Sequence, residues 1–176
     1  MIYYQSKYLS QKLEINLAKW KRWSRAFLPA DALGGLQSGV ARQFNLKEAF
    51  KVYLGGFLVG ELKFTIPEAI KIMSDLSSWL KARGFYHLQP QISRSASDAR
   101  SAHHIYICCL SHNRFAYTIR TIIANTSSDT DRRQETYTQT LLHTLSDPIL
   151  SEAVDNAQMV AVTTLYLNFL DRIQHT

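Results

Sequence analysis

Four cations crowd into one short stretch, Asn16–Pro29, with the sequence NLAKWKRWSRAFLP: Lys19, Lys21, Arg22 and Arg25. The stretch contains no acidic residue. Grouped positive charge of this kind can neutralise phosphates. A guanidinium can also grip a guanine edge with two parallel hydrogen bonds, so Arg22 and Arg25 suit that task better than the lysines. A fifth cation, Arg42, follows in a glycine-rich region. A second set of chemically able residues lies further on: His103, His104, Cys108, Cys109 and His112. No CxxC or HxxxH spacing accompanies them, so ordinary strand residues are the simpler reading, and neither a metal nor another cofactor is expected. No paired carboxylates stand out, no catalytic residue is assigned, and an enzyme is not expected.

The elements that must position the cations follow from spacing. At ~100° per residue, Leu17, Trp20, Trp23, Ser24 and Phe27 fall on one helical arc. Ala18, Lys21, Arg22 and Arg25 fall on the opposite arc, with Lys19 at its edge. Asn16 can cap the start, and Pro29 disfavours continuation beyond Leu28. A positive helix anchored by two tryptophans fits a DNA major groove, and it also fits a solvated amphipathic surface. Before it, Tyr8 to Leu13 suits a short helix, the order of a helix-turn-helix.

Residues 30–45 break the periodicity at Gly34-Gly35 and Gly39, and a short extended piece from Val40 to Phe44 would make a wing with Arg42 aimed at a phosphate. Asn45 and Glu48 resemble a capping box, opening a helix with Ala49, Phe50, Tyr53, Leu54 and Phe57 on its apolar side. Gly55-Gly56 within it either permits close packing or marks a bend. Thr65 and Glu68 form a second capping box. The stripe Ala69, Ile70, Met73, Leu76 and Leu80 runs to a stop near Arg83-Gly84.

The order of these pieces resembles the winged-helix DNA-binding domain of MerR-like transcriptional regulators. EINLAKWKRWSRAFLP is similar to that family's recognition helix with its leucine-proline ending. VARQF resembles the wing return, and KFTIPEAI the joint between the two helices that follow. The resemblance covers about residues 6–82. It implies duplex DNA as partner, with Lys19, Lys21, Arg22, Arg25 and Arg42 as DNA-binding residues. Lys63 stands where the family usually has glycine. The long dimerising helix of the family is missing, because after Gly84 the pattern turns to strands.

FYHLQPQI, residues 85–92, reads as a short extended piece, and SRSASDARS as a linker. His104–Leu110 and Phe115–Ile123 read as two strands of a β-hairpin. Residues 131–146 read as a helix with Tyr137, Leu141, Leu142 and Leu145 on one side. Met159–Val162 suggests a short strand, and Thr163 or Thr164 a cap for a last helix. The expected class is α+β: a mostly helical winged helix-turn-helix domain over 1–84, then a small α+β unit over 85–176 containing the hairpin. That second unit would form a homodimer, sense a small-molecule effector, or recruit a partner.

Composition bounds these readings. The chain has 176 residues, 46% of them hydrophobic, sufficient for a core. Its net charge of +6 is uneven: residues 1–85 carry 13 Lys/Arg against 6 Asp/Glu, and residues 86–176 carry 7 against 8. The basic half calls for a polyanion partner. A module docking an acidic protein through the basic helix is the alternative. The adjacent cysteines are poorly placed for a disulfide. With no signal peptide and no apolar run near the ~18 residues of a membrane span, a cytoplasmic protein without membrane contact is expected.

Overall fold

A computed structural model describes residues 2–30, 42–86, 100–111, 114–126, 133–141 and 157–174. The architecture is mixed α+β, with five helices and two antiparallel sheets among the described residues. The chain divides into two compact units, one of residues 1–90 with 167–176 and the other of residues 91–166.

In the first unit, strand β1 (Tyr4–Gln5) leads into helix α1 (Ser6–Lys12), and helix α2 (Leu17–Phe27) follows after a tight turn. That turn is a Schellman closure: Ile15 N donates to Ser10 O at 2.9 Å and Glu14 N to Gln11 O at 3.2 Å, with Glu14 at φ 56°. Strand β2 (Gln43–Phe44) pairs antiparallel with β1, setting Tyr4 opposite Phe44 and Gln5 opposite Gln43. The glycines expected to form the wing loop lie outside the described residues, as does the expected linker apart from its last residues, Arg100 and Ser101.

Helix α3 (Leu46–Gly60) opens on a complete capping box between Asn45 and Glu48. It runs through Gly55-Gly56, both buried, so these glycines permit close packing inside a continuous helix. Its buried side includes Val52 and Leu58 as well as the expected Ala49, Phe50 and Leu54. Helix α4 (Ile66–Ala82) opens on the Thr65–Glu68 capping box. Ile72 is buried on it whereas Ile70 is 44% exposed, so the inward stripe is Ala69, Ile72, Leu76 and Leu80. Gly84, at φ 75°, closes α4: Phe85 N donates to Leu80 O and Gly84 N to Lys81 O, both at 3.1 Å. Phe85 and Tyr86 therefore belong to the helix stop and not to an extended segment; residues 87–92 lie outside the described ones.

The end of the chain also belongs to this unit. In helix α5 (Val162–Gln174), the Phe169 ring lies 5.4 Å from those of Phe50 and Tyr53. Tyr8 Oη donates to Ile173 O at 2.8 Å.

The second unit holds a sheet of order β5-β4-β3-β6, antiparallel throughout. The expected hairpin is present as β3 (Arg100–Ser111) and β4 (Arg114–Thr126). Ile105 faces Ile119 and Ile107 faces Tyr117 across it, and all four are buried. Strand β6 (Ala157–Val160) pairs with β3, setting Val160 opposite Ile105. The expectation of a helix over 131–146 is wrong: Arg133–Leu141 is strand β5, paired with β4 from Thr118 to Thr126. The segment RQETYTQTL is rich in β-branched and aromatic residues, and the 13-residue β4 offers an edge for it to pair with. Helix α5 begins at Val162, so Thr163 lies inside it; its Oγ1 accepts from His103 N at 2.9 Å instead of capping.

Candidate nucleic-acid interface

Helix α2 carries the cations because its ends and its back are both specified. Asn16 Oδ1 accepts from Ala18 N at 2.9 Å and from Lys19 N at 3.4 Å, satisfying donors that the first turn leaves open. Leu28 is extended at φ −119° and ψ 153°, as a residue before proline should be. Trp20 is 0% exposed and Trp23 6%, and Ser24 is buried beside them. Trp20 meets Phe44 edge-on at 5.7 Å. Trp23 lies against Gly56 of α3, where only a missing Cβ leaves room for the ring.

The opposite face is open. Lys19, Lys21, Arg22 and Arg25 are all exposed. Lys19 leans back so that Nζ sits 4.9 Å from the Trp23 ring centre, a cation–π arrangement that orients the side chain. Arg25 Nε donates to Lys21 O at 3.1 Å, which holds its guanidinium along the helix. Arg22 is on the same open face.

Arg42 is placed differently from the expectation. Its Nη1 donates to Pro29 O at 2.9 Å, its Nη2 lies 3.9 Å from Glu48 Oε1, and its guanidinium sits 5.6 Å from the Phe44 ring centre. With its side chain only 18% exposed, Arg42 ties the end of α2 to the start of α3 and does not project freely.

The turn in front of α2 is tied from far along the chain. Arg172 Nη1 donates to Glu14 Oε2 at 3.0 Å and to Leu13 O at 3.3 Å. Nothing in the spacing of residues 1–30 announces this partner. Lys7 of α1 is a further exposed cation, and its only sequence signal is that it precedes the buried Leu9 in a short helix.

Among the described residues the histidines and cysteines of the second unit do not converge. His103 is buried, with Nδ1 3.0 Å from Thr121 Oγ1, and its neighbour His104 falls on the opposite face of β3 with Cys108. Burial pushes the Cys108 thiol above its ordinary pKa, the reverse of what a nucleophile needs. Among the described residues no group of three or more His, Cys, Asp or Glu could hold a metal ion. His112 lies outside them.

The molecule is thus an α+β protein presenting an acid-free, cation-bearing helix on a tryptophan-anchored base. No protein-family model, curated protein or solved structure matches the chain.

Proposed function

We propose that the protein binds duplex DNA through the exposed face of α2 and acts as a regulator of transcription. The observation that carries this reading is the pairing of two features on one helix. Lys19, Lys21, Arg22 and Arg25 are exposed with no acid among them, while Trp20 and Trp23 are buried behind them. A rigid positive helix of this diameter suits the major groove, and phosphate contacts would position it while base contacts would give sequence preference. The order of α1, a short turn and α2 supports a helix-turn-helix, and the likeness of residues 6–82 to MerR-like regulators supports the same role.

The reading has no catalytic step and no cofactor. Among the described residues no helix is long and apolar enough to cross a membrane, and the proposed place of action is the cytoplasm. Two half-sites one helical turn apart would call for a homodimer, and the second unit is the proposed place for pairing or for an effector.

An electrophoretic mobility shift at low salt, with random and selected duplexes, tests the reading. A shift that weakens steeply with salt is expected. No shift with any duplex overturns it, and binding only to an acidic protein would reassign α2 to protein docking.

A further inference from the structure

A groove of about 810 Å³ runs along one side of α2, and its walls come from separate parts of the first unit. Lys7 of α1, Lys21 and Arg25 of α2, and Arg42 before β2 all line it. Leu17 and Leu28 are among the apolar residues lining it, and among the described residues no lining residue is acidic. Glu48, the carboxylate beside Arg42, is not part of the lining.

The helical phase of α2 separates its cations into three directions. Lys21 and Arg25 differ by about 40° and both line the groove. Lys19 lies about 160° from Lys21, folded onto Trp23. Arg22 lies between these directions, about 100° from Lys21, at the crest of the open face. A helix seated in a major groove has a phosphate strand along its flank and base edges under its crest.

We infer that the groove seats one phosphodiester strand of the duplex, held by Lys7, Lys21 and Arg25, and that Arg22 alone of the two exposed arginines of α2 reads base edges. The inference rests on the DNA-binding reading and divides its residues into two roles. It adds Lys7, which the basic helix does not contain. It removes Arg25 from base reading, because the hydrogen bond of its Nε to Lys21 O holds the side chain along the helix on the groove side. Arg42 contributes its charge to the wall while its guanidinium remains bound to Pro29 O.

The test is equilibrium binding of the full chain to a panel of duplexes over a salt series. Each lost phosphate contact should flatten the log–log salt slope by about 0.9. Lys7→Ala, Lys21→Ala and Arg25→Ala should each do so while weakening every sequence by the same factor. Arg22→Ala should change the ranking of sequences. Thermal melting confirms that these variants fold, and Lys7→Glu, melting like the parent, should weaken binding further than Lys7→Ala. An unchanged slope for both Lys7 variants, with the parent binding normally, overturns the strand assignment and leaves the DNA-binding reading in place. A changed ranking for Arg25→Ala overturns the division of roles. A parent that binds no duplex overturns both readings.

Discussion

A Cβ added to Gly56 would stand 2.3 Å from Cε3 of Trp23. Packed carbon atoms prefer about 3.5–4.0 Å, and the buried indole is rigid. The cation-bearing helix therefore reaches its place only because α3 has no side chain at that point.

Gly56→Ala should destabilise the protein although alanine is the better helix former. The propensity gain is about 1 kcal/mol, and forcing a methyl into a packed ring contact costs about 1–3 kcal/mol or more. Gly60→Ala provides the contrast: its Cβ would find Trp23 atoms at 3.7 and 3.8 Å, an ordinary contact. It should be neutral or stabilising by up to about 1 kcal/mol. Urea denaturation of the two variants reads the difference, and equal destabilisation by both would contradict the Trp23 placement.

Lys63→Gly should stabilise. Lys63 sits at φ 61°, a left-handed conformation that costs a side-chain-bearing residue about 1–2 kcal/mol, and glycine's extra chain entropy returns part of the gain. A net increase of up to about 0.5 kcal/mol is expected from the same measurement, because the exposed hydrogen bond from Lys63 Nζ to Gly60 O is lost. Glu14, at φ 56°, should gain less from glycine. It would lose the exposed pair with Arg172, worth roughly 0–1 kcal/mol.

Stability should fall at alkaline pH. Burial raises the phenol pKa of Tyr4, Tyr53 and Tyr86 in the folded state. Each contribution is complete below the unfolded tyrosine value of about 10 and is lost as pH rises through the raised folded value. Lys51 acts in the opposite sense: its pKa is lowered chiefly by burial, so its cost is present at neutral pH and relieved as pH rises through the lowered value. Above the unfolded lysine value of about 10.4 the relief at Lys51 is complete, and the tyrosines alone set the direction, a loss. Melting temperatures between pH 8 and 11 should show the fall, and Tyr53→Phe should reduce it.

Cys109 should be alkylated before Cys108 at neutral pH. Cys109 is exposed where the β3–β4 register becomes irregular, whereas Cys108 is half-buried with a raised pKa. Peptide mapping after limited iodoacetamide treatment checks the order, and faster labelling of Cys108 would contradict the exposure of Cys109 at the register irregularity.

What the sequence by itself determined is local. The two arcs of α2, the Asn16, Asn45 and Thr65 caps and the stop at Gly84 depend on residues within a few positions of one another, and the β3–β4 hairpin joins two strand-forming runs through a short turn, so short-range hydrogen bonding and periodicity specify them. Tertiary structure decided the rest. Residues 133–141 became a strand because β4 presented an edge, a contact that helical spacing within the segment does not report. Arg42 was turned inward by Pro29 and Glu48, and Arg172 was brought to Glu14 from 158 residues away. The groove likewise exists only once α1, α2 and the approach to β2 are packed together, since the exposed Lys7, Lys21 and Arg25 are assembled by the burial of Leu9, Trp20 and Phe44 behind them, a burial strong enough to outweigh the screened repulsion of exposed cations.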